Sequence, residues 1–535
     1  MQWLFRKSKW IHKYIGLILV LFLIWMSVSG ILMNHPNLIS GLSVPKWLVP
    51  SPYHIENWSR SALIKLVYSS QNPQTAYGCG KQGIWKSEDG GRSFAPMMAG
   101  LPESRFYRKT YDLLLLESSH NQLIAATHNG LFSCDLATEQ WRPLIIADEK
   151  FVKLQQVKNS VLAFSQSNIY QASLENSSLD FKRIEARRDE PESRVSLVKL
   201  FFDVHYGKAW GLPGLLFFDF LGLVIFFLSI SAFYAWFFPW KRKRETRKIK
   251  KASSRKTRLL FKYMLKYHLK IGIWVAVFML IIGGTGLFMR PPLLAVLAGS
   301  SIPKSYYPGF LPDNPWDHKI HNAVYDEKSG SIIIDAEDGL WQAPDDFSQP
   351  FQKLELEVPI FVMGSTVLAP YKKEDLLIGS FSGLFHWQRQ SEKAFSLRNG
   401  KAVNDVSRVR PSKFMVTGYI RTPDGREFMN THEQGIIPIN GADRGELFQQ
   451  PAEITSGFRM PLWNYLFEIH NARFFKSWIG ALNILVVPLG SVLFILIIFS
   501  GIYDWFYLKI VRRKKPVFEP EEQKMGELEL GVESA

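Results

Sequence analysis

Residues 12–33 read HKYIGLILVLFLIWMSVSGILM, and residues 268–289 read HLKIGIWVAVFMLIIGGTGLFM, the same motif 256 positions further on. His12 falls over His268, Gly16 over Gly272, Gly30 over Gly286 and Met33 over Met289. A second correspondence closes each copy: Leu200-Phe-Phe-Asp-Val-His205 matches Tyr465-Leu-Phe-Glu-Ile-His470 at an offset of 265, with Arg194 over Arg459. One half is therefore apolar run, intervening segment, apolar run, and the chain is a tandem duplication of that unit. Repeats are sought first because missing one misreads the whole fold.

The apolar runs are about Tyr14–Met33, Gly214–Trp240, Ile271–Met289 and Trp478–Tyr503. Each meets the length of roughly 20 residues that a helix needs to cross about 30 Å of hydrocarbon. Backbone groups in lipid must pair within their own segment, so helix is the expected form. The net charge of +16 is confined to the ends of these runs. Residues 1–13 carry four Lys/Arg, and 241–270 carry 14 against a single Glu. Such a distribution indicates a bilayer and argues against nucleic acid as partner. The positive-inside rule then places both termini and the basic loop in the cytoplasm and the two long segments outside. Trp10, Trp210, Trp236, Trp240 and Trp478 lie near the expected interfaces. A cleavable signal is rejected, because the first run continues past Ser27-Val28-Ser29 and an internal copy of it cannot be a signal. Two cysteines, Cys79 and Cys134, exclude a disulfide-rich scaffold, and no C-x-x-C-H marks a c-type haem. Export leaves a single Cys79–Cys134 bond and two unpaired strand cysteines both open.

The exported segments repeat a strand–turn–strand pattern, as in AYGCGKQGIWKSEDGGRSF (76–94) and IIIDAEDGLWQAPDDFSQPF (332–351). An apolar strand, a small or polar turn and then Gly83, Gly130, Gly339, Gly383 or Gly435 (Asn168 once) precede an apolar–aromatic pair. The turns recur at 47, 38, 44 and 52 residues, near the length of a propeller blade. Three blades cannot close a circle, so the economical expectation is one six-bladed β-propeller built jointly by both halves. Two open β-domains or a sandwich are the alternatives. The expected fold is an integral membrane α + β protein, a four-helix transmembrane bundle with an exported all-β domain. The expected divisions are 1–40 (cytoplasmic start and first helix), 41–193 (blades 1–3), 194–240 (second helix), 241–266 (basic cytoplasmic loop), 267–291 (third helix), 292–458 (blades 4–6), 459–508 (fourth helix) and 509–535 (cytoplasmic tail). The acidic stretch 519–533 reads as a solvated tail.

Four histidines carry the functional expectation. His12 and His268 lie at the cytoplasmic ends of the first and third runs, His205 and His470 at the exported ends of the second and fourth. Each level thus has one imidazole from each half, and two neutral imidazoles on separate helices are a ligand set for a six-coordinate b-type haem. Gly16 and Gly272 follow their histidines at i+4, on the same helix face, and leave clearance for a flat macrocycle. The competing reading is that interfacial histidines only cap or snorkel. His35, at the exported end of the first run, is a secondary candidate as substitute ligand or substrate-side group. Arg290, read as replacing His35 in the second copy, is a candidate partner for a propionate. Asp219 and Asn483 inside apolar runs are expected to face the interior. Gly78-Cys-Gly80-Lys-Gln-Gly83 is a literal G-x-G-x-x-G that leads into a strand, so it reads as a blade turn. His318-Lys-Ile-His321 reads as a surface pair.

The motif R-x-x-x-x-x-H-x-x-x-G…(S/T)-G-I-L-x-N-H, from Arg6 to His35, resembles the PepSY-associated transmembrane family, as does F-(D/E)-(V/I)-H before the second and fourth runs. Ser87-Glu-Asp89-Gly-Gly91-Arg-Ser-Phe94 resembles the Asp-box turn of BNR-type propellers. The family resemblance implies an inner-membrane ferric-siderophore reductase type of protein with two b-type haems held by His12, His205, His268 and His470. The exported part departs from the family's small PepSY modules. The resulting expectation is a bacterial inner-membrane di-haem protein moving electrons outward, from quinol or a cytoplasmic reductase, to a periplasmic ferric chelate. Two rivals remain: a haem-free membrane-anchored propeller acting as a binding or sensor module, and a transporter, which the scarcity of intramembrane polar residues disfavours.

Overall fold

The computed structural model describes residues 2–117, 120–147, 149–176, 178–189, 193–249, 255–372, 374–403, 411–439, 441 and 443–511. The acidic stretch 519–533 and the middle of the basic loop (250–254) lie outside the described residues. The chain separates into two compact units, one formed by 1–27, 220–287 and 488–535 and the other by 28–219 and 288–487.

Among the described residues three helices are long and apolar enough to cross a membrane, within Gln2–Asn34, Lys208–Arg244 and Arg473–Val511. Helix α1 is Gln2–Asn34 and α3 is Gly211–Ile249, preceded by the short α2, Leu197–Tyr206. The third apolar run differs from expectation: α4 (Arg255–Trp274) and α5 (Ala276–Leu287) meet at 69°. The break at Val275 lies in a β-branched stretch (Ile271, Ile273, Val275, Val277), the residues that lose most rotamer freedom in a helix. The fourth run also starts later than expected. Gly480–Leu485 is a 3₁₀ turn entered at a positive φ of 57° at Gly480, and α7 runs Val486–Phe506 after α6, Leu462–His470. Within the helical unit, Leu19 and Leu23 pack with Ile225, Ala276, Met279, Phe494 and Ile498, so all four runs share one apolar cluster. Ile18, Leu21 and Trp274 stay exposed, as lipid-facing side chains would.

Among the described residues the other unit holds six antiparallel sheets of three or four strands, three from each half. Their first strands are Lys65–Tyr68, Thr110–Leu116, Phe151–Val157, Ile320–Asp326, Val367–Tyr371 and Val416–Arg421. Each sheet is a meander; five have four strands and the sixth has three. Every first strand packs beside the first strand of the next sheet, and Lys65–Tyr68 packs beside Val416–Arg421, so the succession closes. Burial explains the stacking. Strands such as Ile332–Ile334 and Leu376–Ile378 are buried on both faces, and one apolar cluster fills each gap between neighbouring sheets.

The turn glycines fall where the repeats placed them, opening the third strands Gly83–Ser87, Gly130–Asp135, Gly339–Pro344, Gly383–Gln388 and Gly435–Pro438 at positive φ. Gly78–Gly83 is the turn between two strands of the first sheet, as expected. At Ser87–Phe94 the Asp89 carboxylate accepts from the Arg92 and Ser93 amides, and the Ser87 hydroxyl accepts from the Gly91 amide. The missing fourth strand of the sixth sheet is replaced by the segment around Asn57. The Ile436 amide donates to the Asn57 carbonyl at 3.0 Å, and Asn57 Nδ2 donates to the Ile436 carbonyl at 2.8 Å. Two small ladders also join the halves, Ser43–Pro45 with Arg459–Pro461 and Arg194–Ser196 with Ser301–Pro303. Cys79 and Cys134 are free, buried thiols within one apolar cluster; no disulfide forms between them.

Candidate functional site

The first histidine pair belongs to the helical unit. His12 on α1 and His268 on α4 stand with ring centres 6.2 Å apart and planes crossed at 84°. His12 Nδ1 lies 2.9 Å from the Ile497 carbonyl and 3.1 Å from Ser500 Oγ, both on α7. A carbonyl only accepts, so Nδ1 carries a proton, which leaves Nε2 as the ring atom that could ligate. His268 Nδ1 lies 2.8 Å from Ser231 Oγ on α3, and that hydroxyl donates to the Leu228 carbonyl at 3.0 Å. The hydroxyl proton being committed, His268 Nδ1 donates, and its Nε2 is likewise the ring atom that could ligate. Gly501 gives His12 its room, since a Cβ there would lie 3.0 Å from His12 Cε1. Gly16 has nothing within 4 Å of a would-be Cβ, and Gly272 meets only Leu228, at 3.9 Å.

These serines were missed in the sequence, although a signal is present. Ser231…Tyr234-Ala-Trp-Phe237 and Ser500…Tyr503-Asp-Trp-Phe506 repeat at an offset of 269, and Leu228 falls over Ile497. Each half thus supplies a histidine on one helix and, on its other helix, the serine and carbonyl that orient a histidine.

The second pair belongs to the β-rich unit. His205 and His470 do not sit on the membrane-crossing helices but in the last turns of the short helices α2 and α6. Gly207 and Ala472, two residues beyond each histidine and again 265 apart, take left-handed φ of 78° and 55° and end the turn. The acid of each F-(D/E)-(V/I)-H motif accepts from a tyrosine of the other half: Asp203 from Tyr307 at 2.9 Å and Glu468 from Tyr53 at 2.8 Å. His470 Nδ1 lies 2.7 Å from Ser29 Oγ, and Gly30 leaves space beside its Cε1. Burial, and then the nearby charge of His205, push His470 down to about 3, so the ring is neutral at physiological pH and within electrostatic reach of His205.

The secondary candidates separate. His35 Nε2 lies 2.7 Å from Asp219 Oδ2, and Asn34 Nδ2 donates to Asp219 Oδ1 at 2.8 Å. Asp219 is inward-facing as expected, but it occupies the nitrogen with which His35 would bind a metal. At the constant offset of 256, Arg290 corresponds to Asn34, and His35 to Pro291. Arg290 is only 6 % exposed, and its Nε has no hydrogen-bond partner. Burial, with Arg473 adding to it, lowers its pKa to about 10. Such a guanidinium suits an anionic group. Asn483 is buried, as expected. His318 and His321 are not the surface pair expected: His318 is exposed, whereas His321 turns a buried, partnerless Nδ1 toward Gly364. Among the described residues no group of three or more His, Cys, Asp or Glu side chains could hold a metal ion by itself.

The sequence profile of the PepSY-associated TM region family matches residues 9–507. No curated protein matches the chain. The β-rich part is similar to the extracellular domain of a one-component system, BT4673, from B. thetaiotaomicron (10 % identity, TM-score 0.34, 74 % of this chain and 40 % of that one). It is also similar to YCF48 from Cyanidioschyzon merolae (10 %, 0.30, 74 % and 97 %) and to Sqt1 from Saccharomyces cerevisiae (10 %, 0.31, 71 % and 73 %). The chain spans about two fifths of the length of the first of these.

Proposed function

Since this chain belongs to the PepSY-associated TM region family, we propose that it is an inner-membrane electron-transfer protein that holds two b-type haems. His12 and His268 would ligate one, His205 and His470 the other. The closed succession of six sheets is, on this reading, a six-bladed propeller on the periplasmic side.

The observation that carries the proposal is the first pair. The pair stands at 6.2 Å, with the tautomer of both rings fixed by Nδ1 donation to groups on another helix. That outer hydrogen bond is the usual device for orienting a ligating histidine. Bound haem supplies one-electron redox chemistry. The chain's own contribution is to orient the imidazoles through Nδ1 and to offer Arg290 to a propionate. A ferric chelate is the proposed acceptor, and quinol or a cytoplasmic reductase the proposed donor, by analogy with the family.

Haem content and absorption of the full chain, purified in detergent with haem supplied, test this. The expected result is two haems per chain with a Soret band and sharp reduced α/β bands, falling to one in His268→Ala and in His470→Ala. A folded, colourless protein would refute it and leave the anchored binding module, which the closed β-unit favours.

A further inference from the structure

In each sheet, the turn joining the second and third strands lies at the same end as the segment leading into the first strand. Backbone bonds tie the two together: Lys81 to Ser61 at 2.8 Å, His128 to Lys109 at 2.9 Å, Gln166 to Lys150 at 3.0 Å and His432 to Met415 at 2.8 Å. The Arg60 amide donates to the His432 carbonyl at 2.8 Å, bringing the sixth sheet against the first at this end. This one end of the β-unit therefore collects Lys81, Lys109, Lys150, Arg60, His128 and His432, together with Lys319 and Glu337 of the fourth sheet, whose backbones pair in the same way at 3.0 Å. Among the described residues, no carboxylate lies in ion-pair range of Lys81, Lys109 or Lys150.

The cluster is built rather than scattered. Lys109 is 7 % exposed, stands 4.1 Å over the Phe106 ring and donates to Asn464 Oδ1 at 2.9 Å. Lys150 stands 4.1 Å over the ring of Tyr111, whose hydroxyl lies 2.9 Å from His128 Nδ1. His432 keeps a buried Nδ1 with no partner. Lys81 reaches water while Lys109 is buried, so the cluster runs inward from the surface. Desolvation first, and the charges of Lys81 and Lys150 next, hold Lys109 well below the ordinary range, and Lys150 is pushed down to about 8. Like charges crowded together are costly; Glu468 offsets part of that cost at Lys81 and Arg60, and a ligand of opposite sign relieves more of it. Asn464 lies on α6, six residues before His470, so the recess abuts the helix that carries a candidate haem ligand.

We propose that this basic recess is a binding site for a small, multiply charged oxyanion of the polycarboxylate class, free or wrapped around a trivalent metal. It deepens the reading above by assigning the acceptor an anionic chemistry and a place, but its binding step needs no haem. A membrane phosphate is disfavoured because Lys109 is nearly inaccessible beneath its aromatic neighbours.

The test is calorimetric titration of the full-length protein in detergent with citrate and with redox-inert gallium(III) citrate. The expected result is binding that weakens as salt rises, drops at least tenfold in Lys81→Gln/Lys150→Gln, and returns in Lys81→Arg/Lys150→Arg. A neutral gallium chelate is expected not to bind. Preference for gallium citrate over citrate would identify the metal-wrapped ligand, and the reverse the free one; both sustain the site. Retention of wild-type affinity in the Gln variant, with an unchanged melting curve, would overturn the proposal. So would equal binding of the neutral chelate, or displacement only by anionic phospholipid micelles. Anion binding by a colourless protein would sink the redox reading alone, and two haems without anion binding would sink this site alone.

Discussion

Ser29→Ala and Ser500→Ala remove the same hydroxymethyl oxygen from two histidines, and the geometry says the losses will be unequal. His470 Nδ1 has one partner, Ser29 Oγ at 2.7 Å. Without it a buried ring nitrogen is orphaned, at a cost of about 1–3 kcal/mol. For a metal-ligating histidine, loss of the orienting partner typically lowers affinity by about 10- to 100-fold. His12 Nδ1 has two partners, and the Ile497 carbonyl at 2.9 Å survives when Ser500 Oγ is removed. The expected penalty there is about threefold or less, because a backbone acceptor still fixes the tautomer. The assay is the rate of haem transfer to excess apomyoglobin. Ser29→Ala should accelerate one of two equal phases by about 10- to 100-fold, whereas Ser500→Ala should leave both nearly unchanged. In the His470→Ala background, Ser29→Ala should have no further effect. Equal acceleration by the two serine variants, or a Ser29 effect that persists without His470, would refute the orienting role assigned to these hydroxyls.

Two further outcomes concern the β-unit. Gly435→Ala should destabilise the protein by more than about 3 kcal/mol, since its φ is 72° and a Cβ would lie 1.7 Å from the Asn57 carbonyl oxygen. Gly441→Ala has the same φ of 72° but nothing within 4 Å, and should cost about 1 kcal/mol; thermal melts of the pair separate closure from mere strain. Asp89→Ala should cost about 0.5–1.5 kcal/mol by removing the hydrogen bonds it accepts from the exposed amides of Arg92 and Ser93. Partial burial would raise the Asp89 pKa, but the Ser93, Ser87 and Arg92 hydrogen bonds outweigh it and hold it at about 2. Its contribution is thus present above the ordinary 3.8 and is lost as pH falls through about 2; acid melts should show that loss in wild type and not in Asp89→Ala.

The duplication was legible because membrane helices tolerate few residue types, so a conserved spacing of His and Gly stands out against Leu and Ile. The strand–turn–Gly pattern was legible for a related reason: Gly83, Gly130, Gly339, Gly383 and Gly435 all need positive φ at a tight reversal. The bend at Val275 was not, because no proline or glycine pair marks it. Placement of His205 and His470 on separate short helices turned on the left-handed Gly207 and Ala472, and an alanine gives no sequence warning of positive φ. Asp219 was recognised as inward-facing, but its pairing with His35 joins residues 184 apart and only the fold brings them together. The basic recess was invisible for the same reason, its cations coming from different sheets and each unremarkable in its own turn.

Asn57 has a consequence for how the protein comes into being. The edge it covers belongs to Gly435–Pro438, almost four hundred residues downstream. During synthesis the early sheets must therefore wait, with Trp58 and its apolar neighbours unsheltered, until the last one emerges. The two halves look like interchangeable copies, yet neither can be made alone and finish folding, so gene fission would yield products that mature only when both are present together.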